Sequence, residues 1–388
     1  MAAKKIINAV TVICLLFLWA CGPKAVAPQA VMDTPAHHVA NGNKFLESGR
    51  LDDAFAAFTR AAQLDPRYSP AYVGLGLVYG KRGDFDRAFE NMDRAKKFAE
   101  ADAEMADVHV GYIRILTMAG KSADDQWLKK AEQHFAKAKE LAPDEAAPYF
   151  YMGIAYKNAY RFMDAATMFR RVLDMDKGFI GKADREYAIV QRIQRAMPGT
   201  AMGKKIALLP SITRADAAAL FIEELKIDEL FARKNPKVFD TSFKAPGSSF
   251  KTGEYVSAPV VTDIGNHVLK QDIEAVINLQ VKGLQPGPDH RFEPDKVITR
   301  AEFAMMVEDI LIKITGDDSL ATKFIGSRSP FPDLRNDLPY FNAVMVCVTR
   351  NIMETADSST GEFRPLAPVS GADALLAIRQ LKIQLGKN

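Results

Sequence analysis

The sequence predicts an all-α protein built from two different helical repeats, and two recurrences carry that prediction. In the first half, small and apolar residues return at intervals of 34. In the second half one helix-opening signature occurs three times: Thr213-Arg214-Ala215-Asp216, Thr299-Arg300-Ala301-Glu302 and Ser370-Gly371-Ala372-Asp373. Composition agrees with an ordinary folded chain of 388 residues, 48% hydrophobic and 26% charged, long enough for two domains. Its 51 basic and 48 acidic residues leave +3, which excludes a strong electrostatic reader of nucleic acid.

At the amino terminus, Ile6 to Ala20 form an apolar stretch behind Lys4 and Lys5, interrupted by Asn8 and Thr11. A spanning helix needs ~20 apolar residues, so residues 1–20 read as an export signal instead. The stretch ends Leu18-Trp19-Ala20-Cys21-Gly22, which resembles the lipobox of bacterial lipoproteins, with Trp19 departing from the small residues usual there. The resemblance implies that Cys21 takes a diacylglycerol and becomes the new amino terminus. Gly22, in place of a retention Asp, implies the outer membrane; the periplasmic face is the expected side, which this residue does not decide. Acyl chains, at ~0.8 kcal/mol per buried CH2, would hold the protein on a bilayer. A plain secretory signal or an uncleaved anchor is the other reading. Removing residues 1–20 takes away two lysines, so 49 basic against 48 acidic residues leave +1. Residues 21–36, rich in Ala, Pro and Val, read as an extended tether.

The 34-residue interval links Gly42 to Gly76, Gly49 to Gly83, Ala54 to Ala88, Phe58 to Met92 and Ala61 to Ala95. It returns between Ala131 and Ala165, and between Phe135 and Phe169. Each unit reads as a helix pair: apolar residues recur every three or four positions, Gly49 and Gly83 break the pairs, and Asp65-Pro66 and Ala142-Pro143 end units. Gly111 to Ala131 spans 20 residues where Gly76 to Ala88 spans 12, so the third unit carries an insertion near Lys121 to Asp125. Tyr160 stands in the turn glycine's place in the fourth unit, where an altered turn is expected. The pattern resembles the tetratricopeptide repeat, about four copies over residues 37–178. Such arrays curve around a concave groove that binds protein segments. With the first helix of each unit facing inward, the groove would carry Asn43, Val73, Leu77, Lys81, Tyr112, Phe150, Ile154, Lys157 and Asn158. Such a mixture suits a helix or an extended segment of an envelope protein, unless these residues simply pack between units. The set lacks the Lys/Asn/Arg clamp with which chaperone-binding relatives hold a terminal carboxylate.

In residues 179–388, Phe292-x-Pro294 stands seven residues before Thr299, and Phe363-x-Pro365 seven before Ser370. Asp263 lies 29 residues before Phe292 and Asp333 lies 30 before Phe363. The order of acidic opening, helix, Phe-x-Pro loop and Thr-Arg-Ala-Glu helix resembles the S-layer homology module. Three copies follow, at about 180–232, 261–315 and 331–388, the first lacking Phe-x-Pro. The resemblance implies a pseudo-threefold helical bundle whose inter-copy grooves hold peptidoglycan or a secondary wall polysaccharide. It makes Arg300 and Arg214 the anion contacts, exposed at helix starts, and Asp263 and Asp333 groove carboxylates; these two read equally well as local turn caps. Gly371 stands where the last copy's arginine belongs, so that groove is expected to bind weakly. Thr299 with Glu302 is a capping box, as is Thr213 with Asp216.

No histidine pair has HExxH spacing, and neither a cysteine metal site nor a phosphate loop is present in the sequence. His37-His38 reads as a solvated pair, and Cys347, inside an apolar run, as a buried inert thiol. No metal, cofactor, catalytic residue or nucleic-acid partner is expected. The chain reads as a non-enzymatic, lipid-anchored scaffold joining the outer membrane to wall polymer, its repeat groove holding an envelope protein. An accessory for assembling an outer-membrane secretion or export complex is the alternative.

Overall fold

A computed structural model of the chain describes residues 25–234 and 261–386. These form two compact units that divide between Tyr187 and Ala188. The described residues are helical, with isolated bridges and no strand.

The first unit contains α1 (Pro35–Glu47), α2 (Leu51–Leu64), α3 (Ser69–Lys81), α4 (Phe85–Phe98), α5 (Asp102–Ala123), α6 (Trp127–Leu141), α7 (Ala146–Asn158), α8 (Phe162–Met175) and the start of α9 (Ile180–Ala196). Thr34 caps α1 by accepting from the His37 amide, and Pro35 follows, where a missing N–H costs nothing. The 34-residue interval has a packing cause. A Cβ on Gly42 would lie 2.6 Å from the Phe58 ring, one on Gly76 2.7 Å from Met92, and one on Gly153 2.6 Å from Phe169. Each glycine is thus the hole for a knob from the second helix of its own pair. Phe58, Met92 and Phe169 are fully buried, each contributing roughly 2–3 kcal/mol.

Gly49 and Gly83 turn the chain with φ of 75° and 79°. Tyr160 makes the same turn with φ 60°, so the altered turn expected there does not occur. A side chain has been forced into the left-handed region instead. Tyr160→Gly is therefore expected to raise the unfolding free energy by about 0.5–1 kcal/mol, seen as a higher urea midpoint.

The insertion in the third unit lengthens α5, which bends at Gly120 (φ 57°, ψ −154°), a conformation open essentially to glycine alone. Residues 25–34 are not a free tether. The Val26 amide donates to Gln63 at 2.8 Å, and Asp33 accepts from Arg60 and lies 2.7 Å from His38. His38 is thereby partnered rather than solvated. The start of α9 and the residue before it also belong to the array: Phe179 stacks on Phe150 at 4.9 Å, and Lys182 pairs with Glu47 at 2.8 Å.

The second unit holds the rest of α9, α10 (Ala201–Ile206), α11 (Arg214–Ala219) continued by a π-helical turn (Leu220–Leu225), α12 (Ile227–Lys234), α13 (Lys270–Asn278), α14 (Arg300–Thr315), α15 (Phe341–Thr349) and α16 (Gly371–Gln384). Thr213 and Thr299 close full capping boxes on α11 and α14, and Ser370 caps α16. The residue before each cap enters one closed ring of backbone hydrogen bonds. Ile212 donates to Val369 at 3.0 Å, Val369 to Ile298 at 3.2 Å, and Ile298 to Ile212 at 3.1 Å. Three chemically equivalent positions bonded in a cycle are a local pseudo-threefold axis, and Ile212, Ile298 and Val369 are fully buried or nearly so around it. Cys347 in α15 is completely buried, which pushes its thiol far above the ordinary range and leaves it inert.

Candidate functional site

The Asp and Arg positions of the second unit build two copies of one device. In Phe-x-Pro the middle residue is left-handed, with φ 56° at Glu293 and 54° at Arg364. That turns two successive N–H groups toward one side. Asp263 accepts from Phe292 and Glu293, both at 2.8 Å; Asp333 accepts from Phe363 at 3.0 Å and Arg364 at 2.6 Å. Burial alone would raise the Asp263 pKa, but these amide bonds bring it below the ordinary value. The two aspartates therefore act as caps, each on the loop about 30 residues further on rather than on its own turn.

The arginine of the preceding copy grips the same loop from the other side. Arg214 donates to the Phe292 carbonyl at 2.7 Å, to Gly283 at 2.5 Å and to Gln285 at 3.0 Å, its guanidinium 4.7 Å from the Phe292 ring centre. Arg300 donates to Phe363 at 2.8 Å and Glu354 at 2.6 Å, again 4.7 Å from the ring of Phe363. Arg300 is 6% exposed and Arg214 half-buried. Exposure at a helix start is thus corrected by the structure: each guanidinium reaches across to the next copy's loop, where carbonyls and an aromatic face receive it.

Beside Arg300 opens a cavity of about 210 Å³ between the second and third copies, lined also by Arg192, Glu354, Arg364, Ser370 and Asp373. Arg192 comes from α9 and lies 3.3 Å from Asp373; Arg364 is half exposed, 3.0 Å from Glu362. Arg192 and Arg364 were not legible as site residues, because no motif marks them. At the third copy, Gly371 donates to Leu209 at 3.0 Å, and a Cβ there would collide with the Ile206 carbonyl. The helix α10 occupies the space an arginine would need, so no equivalent grip forms.

In the first unit a cavity of about 290 Å³ opens on the concave face, lined by Asn43, Val73 and Leu77 as expected. The other expected groove residues do not line it. Lys81 and Asn158 are exposed and Ile154 is half-buried, while Lys157 pairs with Glu186 of α9 at 2.6 Å. Phe150 is buried beneath Phe179, since α9 covers this end of the array. Tyr112 faces a different cavity with Phe89 and Trp127; it stacks on His134 at 4.3 Å and donates to Asp93. The positions sequence reasoning missed are Asp107, Gly111 and Arg114 of α5, and Tyr151. A signal existed: adding 34 to Val73 and Leu77 gives Asp107 and Gly111. Aligning Gly111 with Gly76 instead misses the period by one residue, a rotation of about 100°.

His109 and His134 face each other with Nδ1 atoms 2.8 Å apart, so one neutral ring donates and the other accepts. Burial first pushes both pKa values down to about 4; nearby lysines add to it at His109, and the His109 charge followed by those lysines adds to it at His134. The ordinary value is 6.5, so the unfolded chain takes up these protons first as pH falls. The pair's stability contribution is complete above 6.5 and is lost as pH drops toward 4. Thermal unfolding of the wild type is expected to lose Tm across that window. His109→Gln/His134→Gln should flatten the slope between pH 6.5 and 5, while its offset from wild type stays constant above pH 7.

Cys21 lies outside the described residues. Among the described residues no group of three or more potential ligands is placed to hold a metal ion, and no helix is long and apolar enough to cross a membrane.

Comparison with known proteins places names on both units. The tetratricopeptide repeat model matches residues 45–109, and the S-layer homology domain model matches residues 330–375, the last of the three copies. Superkiller protein 3 of Schizosaccharomyces pombe is 28% identical over 170 residues, 34% of this chain and 12% of that protein. Anaphase-promoting complex subunit 3 of the same organism is 32% identical over 116 residues, 30% and 16% of the two chains. Protein bimA of Emericella nidulans is 29% identical over 113 residues, 29% and 13%. This chain therefore spans less than a fifth of the length of the curated relatives it matches. It carries a tetratricopeptide repeat region and an S-layer homology domain, both non-catalytic modules. The combination is that of a cell-envelope protein with protein-interaction and wall-binding modules.

Proposed function

We propose that the chain is an outer-membrane lipoprotein tether, anchored through Cys21, holding wall polymer with its second unit and an envelope protein with its repeat array. The observation that carries the wall-binding reading is the cavity flanked by Arg192, Arg300 and Arg364, with Asp373 and Ser370 beside them. A guanidinium fork pairs with a carboxylate bidentately, and aspartate and serine accept hydrogen bonds from sugar hydroxyls. With +3 over the whole chain, attraction to an acidic saccharide rests on these local arginines rather than on bulk charge. Arg300 is committed to backbone carbonyls, so Arg192 and Arg364 are the contacts assigned to the ligand. Asp263 and Asp333 contribute by holding the loops.

Full-length protein is expected to sediment with isolated wall material, and Arg192→Gln/Arg364→Gln to reduce the bound fraction about tenfold without lowering Tm. Unchanged sedimentation of that variant would remove the reading. Radiolabelled fatty acid should enter the wild type and not Cys21→Ser. Crosslinking in membranes separates the tether from an accessory in assembly of a secretion or export complex: wall saccharide dominates the products in the first case, a single protein in the second.

A further inference from the structure

The concave cavity of the repeat array is bounded on its open side by the chain itself. Phe179 rests on Phe150, and Lys182 pairs with Glu47 across 135 residues of sequence. The cavity, about 290 Å³, opens to solvent along one face of α5, and a few residues of extended chain fit along it.

The charge on the cavity wall is polar in a defined direction. Glu104, Asp107, Gly111 and Arg114 lie at three- and four-residue spacing on one face of α5, and all line the cavity. Asp107 has no hydrogen bond or ion pair with any described residue, and its near neighbours Glu104 and Glu145 are also carboxylates. At the other end, the Arg114 guanidinium lies over the Tyr151 ring, 4.5 Å from its centre, and likewise has no hydrogen bond or salt bridge among the described residues. Glu47, the acid whose charge acts on Arg114, is already engaged by Lys182. Carboxylates lacking a cation thus face a cation lacking a carboxylate. Asp107 and Arg114 are seven residues apart, about 10 Å along the helix axis, which three residues of polyproline-II chain span with both side chains on one face.

We propose that this cavity binds an extended peptide segment bearing a cationic side chain and, three residues on, a carboxylate, the cation against Glu104 and Asp107 and the carboxylate on Arg114. The proposal rests on the reading of the array as protein-binding and gives that partner its chemistry. Leu77 and Val73 floor the space between the two charges, and Tyr151 holds the guanidinium flat and pre-oriented.

The test uses full-length protein and fluorescein-labelled, end-blocked hexapeptides read by anisotropy. Ala-Lys-Ala-Ala-Glu-Ala is expected to bind about tenfold tighter than Ala-Glu-Ala-Ala-Glu-Ala or the version with Gln at both charged positions. Arg114→Gln should abolish the preference for Glu over Gln, and Asp107→Asn the preference for Lys over Gln, each with helical content and cooperative unfolding retained. Arg114→Lys should keep part of the preference, because it keeps the charge without the planar fork. Equal affinity for all three peptides overturns the proposal while leaving a protein-binding groove. Failure of every peptide to bind overturns it too, and a protein crosslinked to the array would then show that the broader reading survives alone.

Discussion

Arg300→Ala is expected to lower the unfolding free energy of the second unit by about 3 kcal/mol. The side chain supplies charge-assisted donors to the carbonyls of Phe363 and Glu354 and covers the Phe363 ring. Alanine removes all three contacts and leaves acceptors near a 6% exposed site without a donor, each costing roughly 1–3 kcal/mol. Burial already disfavours the charge on Arg300, which offsets part of the gain and keeps the figure from being larger. Arg300→Lys should rescue little, because a single ammonium cannot reach two carbonyls and stack on a ring. Arg214→Ala is expected to cost less, its guanidinium being half-buried. Cys347 provides the measurement: it is fully buried in this unit, so its reactivity toward a thiol reagent in urea reports unfolding here, in a Cys14→Ser/Cys21→Ser background. A normal midpoint in Arg300→Ala would mean that the grip on the third copy's loop is dispensable. Because of this structural role, loss of wall binding in Arg300→Ala would not identify a ligand contact, whereas loss in Arg192→Gln/Arg364→Gln with normal thiol protection would.

The two architectures were legible because each is written as a period. Gly42, Gly76 and Phe58, Met92 mark a hole and its knob, and any sequence that packs this way must repeat them. The cap residues Thr213, Thr299 and Ser370 likewise announce three helix starts, and Gly371 stands out against the arginines of the other two. What the periods did not encode is where long side chains go. Arg300 stands at a first helical position that is exposed in an isolated helix; its burial comes from a loop 63 residues away. Arg192 and Arg364 have no motif, since their juxtaposition arises only when α9 and the third copy's loop meet. In the repeat array, the inner residues of the fourth unit were obscured by a helix lying beyond the repeat pattern. Tyr112 was misplaced by a single residue of register, enough to turn a side chain from one face of α5 to another.

Gly371→Ala is expected to destabilise the second unit by about 3 kcal/mol or more, the reverse of what helix propensity alone dictates. Gly371 is the first residue of α16, behind the Ser370 cap, where alanine would ordinarily gain up to about 1 kcal/mol over glycine. The added Cβ, however, falls on the backbone carbonyl of Ile206, with Ala207 also in contact. Backbone of a buried segment does not yield as a flexible side-chain end does: Ile206 is 2% exposed, and its helix is capped by Thr200, which Glu224 in turn holds. Relieving the clash must separate α16 from α10, breaking the Gly371 to Leu209 hydrogen bond and straining the Ile212–Val369–Ile298 ring beside it. The third copy therefore cannot carry the arginine that its two predecessors use, because the first copy presents a helix where they meet a Phe-x-Pro loop. Early exposure of the Cys347 thiol in urea is the expected reading for Gly371→Ala, and Gly371→Arg should be worse. If alanine were tolerated at a wild-type midpoint, the close approach of α10 would not be what sets glycine at this position, and the missing grip would need another cause.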